Sequence, residues 1–581
     1  MYRIFYICLL VTILSCESSS NSEKETPKAS DKAEINWKSF DESAFEHAAS
    51  TDKLVLLEVG ANWCHWCHVM DEKTYADTEV QEYLNEHFVL TREDQDSRPD
   101  LYSLYRTWGW PAIIVFNSNK EEVLKLKGYQ EKTKFLKKLK ETVANPEPIK
   151  SDRVASSNLN ASNQELFTFF LKRIDHEKGG YPWNHKYLHP PGIFHGLAYY
   201  NENDSLKKWT DFTIEQSYLL VDPVWSGVYQ YSAKKSWKNQ HYEKLLRIQA
   251  NYIQAYAKYG SYTGDQKATQ TAIEIYNYCE RFLGSDSPLF YNSQNADVIE
   301  GQDSEEYYNS TEQERLKQGT PSVDEHCYLK ENAMMGKALL YLWAATGDEK
   351  YLGKVQAMIS HIDENVEQTN GVYWRGDREI LSLEGNRQFL HLLMLWSQLT
   401  GSEEYLEMTK ALAHNMIRIF DSKQGLLATS SDLPIPAPIV PLDNLNAVLT
   451  FNLLGHLSGD DDLINYAQDL YQKIDKKSLA EKVGYLPLLL RAKVELEQEP
   501  FHAVYITDGS DEKRAQEFYR TLLNYPNPYI VFERAVIGKF SKEQELLYSG
   551  MPSGTLFMCT SSFCSAPMQK VEQLEDFLTS N

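Results

Sequence analysis

The amino-acid sequence predicts a multidomain chain: a small α/β domain, then a large all-α unit of repeated helical hairpins, then a short α/β appendage. Three observations carry this. Residues 35–145 alternate short apolar strand-like runs with helix-like runs. From residue 164 onward the apolar periodicity is almost wholly helical, and one junction recurs as Thr263-Gly264-Asp265, Thr346-Gly347-Asp348, Thr400-Gly401-Ser402 and Ser458-Gly459-Asp460. Strand-like segments return at residues 503–507, 529–532 and 555–559.

At 581 residues the chain is too long for a single core. An apolar fraction of 42% against 24% charged residues describes a folded protein, and the 12% aromatic content, with 37 Tyr and 12 Trp, gives it an aromatic bias. The balance of 59 basic and 82 acidic residues leaves a formal charge of −23, which repels a phosphate backbone and argues against nucleic acid as a partner.

In the small domain, assigned to residues 35–147, a helical run at 41–50 precedes an apolar strand at 54–59 that leads into Trp63-Cys64-His65-Trp66-Cys67-His68. A helical stretch at 69–86, strands at 88–92, 112–116 and 122–126, and a basic amphipathic helix at 131–143 follow. A strand that delivers two cysteines onto a helix start sets the first sulfur among unpaired N–H groups at the positive end of the helix dipole, which favours thiolate. Cys64 is then the nucleophile and Cys67 the resolving thiol. A protonated His65 stabilises the thiolate further.

Trp110-Pro111 stands directly before the strand at 112–116, where a cis-proline facing the thiols shapes a groove for an extended substrate. Together these features predict a thioredoxin fold, with Trp63, His65, Trp66, Trp110 and Pro111 around the substrate. Such chemistry needs no cofactor and no metal. A merely structural disulfide is one rival reading of the pair, and two others use the same residues: Cys64-His65-Trp66-Cys67-His68 has the spacing of covalent haem attachment, and two thiolates with His65 or His68 suit zinc. Neither needs the preceding strand or the later proline.

Asn145-Pro146-Glu147-Pro148 opens a polar linker, residues 148–163, before the helical unit at 164–500. At each recurring junction glycine suits the left-handed position that ends one helix, and the neighbouring Asp or Ser caps the next, so each marks a tight helical hairpin. Repeated pairs of this kind build an open solenoid or a closed ring, and long loops at 179–191, 222–237, 292–321 and 433–443 favour a ring with its loops at one mouth. Carboxylates and histidines in such loops, His241, Glu243, Asp297, Asp324, Glu325 and His326, are candidates for sugar chemistry, with Trp183, Trp225, Trp237 and Trp374 as stacking platforms. The appendage is assigned to residues 501–581, where Cys559 and Cys564 flank a turn and are expected to form a structural disulfide. Cys279 and Cys327 read as small buried hydrophobes.

The first residues, Met1-Tyr2-Arg3, precede an apolar run at 4–14 that suits a secretory signal and is too short to span a bilayer. Its ending, Ile13-Leu14-Ser15-Cys16, resembles the lipobox of bacterial lipoproteins, which implies cleavage before Cys16 and lipidation of that residue. The signal is then residues 1–16 and the polar stretch 17–34 a tether. Export permits disulfides, and the resemblance implies a lipid anchor in a cell-envelope membrane, with an outer membrane facing periplasm or surface as the expected site.

The motif Trp63 to Met70, Leu84-Asn85-Glu86-His87-Phe88, Asp94, Arg98-Pro99-Asp100 and Gly109-Trp110-Pro111, with His241-Tyr242-Glu243-Lys244, residues 292–297 and 553–567, resembles the spermatogenesis-associated thioredoxin-like family. The resemblance implies a thioredoxin domain joined to a six-hairpin (α/α)6 toroid, a redox activity, and a toroid similar to those of six-hairpin glycosidases and N-acylglucosamine epimerases. In this sequence Ile248-Gln249 replaces the Asp-Asn that usually follows the family's His-x-Glu-Lys segment. The expected function is a thiol–disulfide oxidoreductase acting on thiols or disulfides of exported proteins. The alternative is a carbohydrate-active or glycan-binding toroid with an accessory thioredoxin domain.

Overall fold

A computed structural model describes residues 35–149, 159, 161–374, 379–430, 434–527 and 529–580. The expected signal with Cys16, the tether and most of the 148–163 linker lie outside the described residues. The small domain runs α1 (Glu42–Thr51), β1 (Leu54–Gly60), α2 (His65–Met70), α3 (Thr78–His87), β2 (Phe88–Asp94), α4 (Pro99–Tyr105), β3 (Ala112–Phe116), β4 (Glu122–Lys127) and α5 (Lys132–Ala144). The sheet order is β2-β1-β3-β4, with β1 parallel to β2 and antiparallel to β3.

Because side chains alternate across a strand, Val55, Leu57 and Val59 of β1 pack with Phe40, Phe45 and Leu101 on one face. Leu56 packs with Leu84, Phe135 and Leu139 on the other. Each such buried side chain contributes about 1.5–3 kcal/mol. The helical stretch read at 69–86 is broken in the structure: α2 passes into a wide turn at Asp71–Tyr75, and Asp77 restarts the helix by accepting hydrogen bonds from the Glu79 and Val80 N–H groups. Helix α4, which begins on Pro99, had no counterpart in the sequence reading.

Beyond the linker come α6 (Asn163–Arg173), α7 (Pro190–Ala198), α8 (Asp204–Ser217), α9 (Leu246–Thr263), α10 (Gln266–Tyr278), the short α11 (Glu305–Tyr308) and α12 (Glu312–Gln318), α13 (Leu329–Thr346), α14 (Lys350–Asn365), α15 (Leu383–Thr400), α16 (Glu403–Phe420), α17 (Pro441–Ser458), α18 (Asp461–Lys473), α19 (Lys476–Glu481) and α20 (Leu486–Glu497). Among the described residues α7, α9, α13, α15, α17 and α20 pack side by side, and α20 returns to α7, so the ring is closed. Helices α6, α8, α10, α14, α16 and α18 back them from outside. This is an (α/α)6 toroid. The two layers differ as their sequences require: α17 is buried nearly all round, whereas α18 buries one stripe, Leu463, Ala467 and Leu470.

All four junction glycines, Gly264, Gly347, Gly401 and Gly459, end inner helices in the left-handed region. Asp265, Ser402 and Asp460 cap the outer helices that follow. The inner helices therefore run in one direction, and the ring has an N-terminal and a C-terminal mouth.

The appendage sits at the C-terminal mouth. Its strands Phe501–Thr507, Ile530–Val536 and Thr555–Cys559 form one sheet, the first two parallel, with the helix Glu512–Asn524 between them. Helix ends leave carbonyls without partners, and the appendage supplies donors: Asn524 Nδ2 to the Ala344 carbonyl (2.9 Å) and Tyr529 OH to Glu495 (2.7 Å), while Tyr519 OH reaches the Leu395 carbonyl further inside α15 (3.0 Å). Cys559 and Cys564 are disulfide-bonded at the edge of this sheet.

The small domain sits at the N-terminal mouth. Arg106 lies 3.6 Å from Asp443 at the start of α17, the Lys330 ammonium 4.9 Å from the centre of the Tyr102 ring, and Arg247 at the start of α9 is 3.6 Å from Asp96. Ile435 is buried in the cluster that holds Leu101 and Tyr105. No helix among the described residues is long and apolar enough to cross a membrane.

Candidate active site

Strand β1 ends at Gly60, and Cys64 is the N-cap of α2, its sulfur accepting from the Cys67 N–H at 3.2 Å. Cys64 and Cys67 are joined as a disulfide, and the Trp110–Pro111 peptide is cis. A Cβ on Gly60 would lie 3.3 Å from the Cys67 sulfur, so glycine leaves room for that atom. On the same strand face Glu58 is fully buried, 3.0 Å from the Arg92 Nε. Burial pushes its carboxyl up against the opposing pull of Arg92. Glu58 was missed in the sequence, although a lone charge in the apolar run Leu-Val-Leu-Leu-Glu-Val-Gly was the signal that could have found it.

The thiols face the toroid. Cys64 is 4% and Cys67 6% exposed, in a cluster formed by Ala61 and Trp63 from the small domain and Leu245 from the segment entering α9, with Trp110 and Ile248 against it. Asp297, also from the toroid, holds His65 Nδ1 at 2.9 Å and His68 Nδ1 at 3.3 Å. Burial alone would raise the Asp297 carboxyl, but the hydrogen bonds from the two imidazoles outweigh it and hold the group at about 2. Reciprocally, the bond to Asp297 raises His65, and for His68 the same bond with nearby Glu300 overcomes the lowering by burial. Glu243 is the second toroid carboxylate near the helix start: burial pushes it up to about 7 against the opposing pull of His65. Its Oε2 has no hydrogen-bond partner among the described residues.

A third contact is polar. The Trp63 indole donates to Asp96 Oδ2 (2.7 Å), and Asn292 Nδ2 donates both to Asp96 (2.8 Å) and to Asp324 (2.9 Å). Asp96 and Arg247 escaped the sequence reading, and Asp94 and Asn292 entered it only through the resemblance, because only the fold brings the polar contact together.

The six toroid candidates all lie beside the small domain. Glu243 and Asp297 abut α2; His241 stacks on Tyr231 (4.3 Å) and lies near enough to His65 for its charge to be felt. Asp324, Glu325 and His326 line a crevice of about 570 Å³ together with Cys67, His68 and Asp94. None of the six lines the central cavity: His241 and Asp324 stand on the short strands Gln240–His241 and Val323–Asp324, and the other four in the segments beside them or in the 292–321 loop. Trp225 and Trp237 are 4% and 3% exposed and belong to the core rather than to a stacking surface. Alternation explains the segment around Glu243: the neighbouring Lys244 points inward, where its ammonium meets Asp222 at 2.6 Å beside the rings of Trp225 and Tyr278.

Of the substrate-side residues, Trp63 and Pro111 are buried, Trp110 is half-buried against Tyr102, and Trp66 is 41% exposed beside Tyr129. Inside the ring lies a cavity of about 970 Å³, lined by all six inner helices and closed at one end by Tyr519, Leu523 and Phe532 of the appendage.

Residues 22–140 match the family Thioredox_DsbH, described as a protein of unknown function, DUF255. The chain is similar to spermatogenesis-associated protein 20 of Homo sapiens, 25% identical over 306 residues. That match takes in 45% of this chain and 39% of the human protein, so the chain spans about two fifths of the relative it matches. It is also 23% identical over 139 residues to the disulfide bond reductase DsbH of Chlamydia pneumoniae, covering 21% of this chain and 82% of that protein. Among solved structures, a sugar epimerase from a ruminal bacterium aligns with 53% of this chain and 82% of its own, at 18% identity and a TM-score of 0.43.

Proposed function

We propose, on the premise that the N-terminal domain is a thioredoxin-like domain of the DsbH type in a homologue of spermatogenesis-associated protein 20, that the chain is a thiol–disulfide oxidoreductase whose thiol site is covered by its own toroid. The single observation that carries the reading is the Cys64–Cys67 disulfide at the N-cap of α2, with Asp297 holding the adjacent His65. In the reducing direction the Cys64 thiolate attacks a substrate disulfide, forming a mixed disulfide and releasing one substrate thiolate, which takes up a proton. Cys67 then attacks the Cys64 sulfur, the second substrate thiolate leaves, and Cys64–Cys67 is oxidised while the substrate gains two electrons. A dithiol donor restores the pair, and the same steps reversed oxidise a substrate.

Asp297 keeps His65 protonated and so favours the Cys64 thiolate. Glu243, held near neutrality at the same helix start, exchanges the proton that the thiol gives up. With both sulfurs covered, a protein substrate reaches Cys64 only when Leu245 and Ile248 withdraw. The lipobox-like Leu14-Ser15-Cys16 supports export and lipid anchoring at Cys16, and hence exported proteins as substrates.

The test is capture. A Cys67→Ser variant expressed in the native envelope is expected to accumulate reductant-sensitive adducts through Cys64 that the Cys64→Ser/Cys67→Ser variant lacks. Absence of adducts together with absence of disulfide reductase activity rejects the reading. A second reading, a small-molecule site in the toroid for a glycan or sugar, is favoured by the cavity enclosed within the ring.

A further inference from the structure

The inner helices of the toroid are deeply buried, yet four of them each bring a cation to the lining of the bore. Helix α9 contributes Lys258, α13 Lys337, α15 Arg387 and α20 Arg491, and the acidic groups that line the same cavity are Glu384, Glu495 and Glu202. Glu202 belongs to the turn after α7, outside the bore's central layer.

Two of the four cations are neutralised. Arg387 forms a two-pronged pair with Glu384 (2.6 and 2.7 Å), and Arg491 pairs with Glu495. The other two have no carboxylate within ion-pair distance among the described residues. Lys337 donates to the Gln388 side chain, and Lys258 donates to the Leu523 carbonyl at 3.1 Å while its ammonium lies 5.2 Å from the centre of the Tyr341 ring. Lys258 is 2% and Lys337 9% exposed. Burying an ammonium without an ion-pair partner is costly, and burial pushes both lysines down to about 7, with Arg491 adding repulsion at Lys258 and Arg387 outweighing the attraction of Glu384 at Lys337. A fold that needed only a packed core would place apolar residues here. Beside the cations, Asn251, Gln254 and Asn446 turn side-chain amides toward the same space, and Tyr341, Phe194 and Met334 supply apolar wall.

We propose that the toroid bore is a binding site for an anionic sugar, one carboxylate or phosphate on a polyhydroxylated body of one or two rings, with Lys337 meeting the anion and Lys258 and the amides meeting hydroxyls. This rests on the second reading above and adds to it the charge of the ligand and the groups that select it. The volume of about 970 Å³ suits such a ligand, and an anion supplies the counter-charge that the protein lacks there. The rim acids Glu243, Asp297 and Asp324 take no part.

The full chain is titrated calorimetrically with glucuronate, glucose 6-phosphate, glucose, cellobiose and inorganic phosphate. Binding of glucuronate or glucose 6-phosphate at least ten-fold tighter than glucose and phosphate, reduced ten-fold or more in Lys337→Met and in Lys258→Met, is the expected result; the preferred acid identifies the anion. Equal binding of a neutral sugar overturns the anionic site and leaves the glycan reading intact, whereas binding of phosphate as tight as that of the sugar phosphate overturns the sugar. No binding of any of the five overturns both. Both variants are checked to unfold thermally no earlier than the parent chain. A variant that fails to fold is replaced by Lys337→Gln, read in the same titration.

Discussion

Replacing Asp297 with Asn removes the charge that ties the thiol helix to the toroid while keeping the shape of the side chain. The carboxyl stands at about 2 against an ordinary 3.8, a difference that corresponds to about 2 kcal/mol at neutral pH. The signs define a window. A depressed carboxylate contributes above its unfolded value and loses that contribution as pH falls through about 2. The raised His65 and His68 contribute fully below 6.5 and lose it as pH rises through their folded values.

Asp297→Asn is therefore expected to lower the urea midpoint most near pH 5–6, by the equivalent of about 2 kcal/mol, and less at pH 3 and pH 9. Tryptophan fluorescence follows the transition. In parallel, loss of the imidazolium beside Cys64 makes the disulfide more reducing, by about 30 mV for each ten-fold loss of thiolate stability. A destabilisation of equal size at pH 3, 6 and 9, with an unchanged potential, refutes the argument.

Three further outcomes follow from the same geometry. Glu243 is raised to about 7 from 4.5, so the fold is disfavoured as pH rises from 4.5 to 7; Glu243→Gln should stabilise the chain by up to about 3 kcal/mol at pH 8 and by nothing at pH 4, read by denaturant unfolding. In the reduced protein, alkylation of Cys64 by iodoacetamide should be slow because the sulfur is covered, and Leu245→Ser should speed it at least ten-fold; equal rates mean that the cover is not what limits access. Replacing both Cys559 and Cys564 with serine opens a loop whose ends are only five residues apart in sequence, so loop-closure entropy predicts a loss of about 2 kcal/mol confined to the appendage, measured by hydrogen exchange.

Much of the architecture was legible in local signals. The strand before Cys64, the proline at 111 and the four Thr/Ser-Gly junctions each declare a backbone conformation within a few residues, and short-range geometry sufficed to read the small domain and the helical hairpins. The thiol pair was legible for the same reason. The partners of that pair were not. His65 finds Asp297 across 232 positions of sequence, and Asn292 finds Asp96 across 196, pairings that only the docking of the small domain on the toroid creates. The carboxylates and histidines chosen for sugar chemistry were read as lying at one mouth of the ring, but nothing local told that Glu243 and Asp297 would face α2 of the small domain. The charged lining of the bore was hidden because Lys258, Lys337 and Arg491 sit in helices that otherwise read as core.

The central claim is that Cys64 and Cys67 are a working redox pair, and an equilibrium titration of the full chain in glutathione buffers tests it most directly. The account predicts a single reversible two-electron transition between dithiol and disulfide, lost in Cys64→Ser and shifted to a more negative potential in Asp297→Asn. A pair that stays oxidised or stays reduced across the whole glutathione range contradicts it, as does a transition that persists without Cys64.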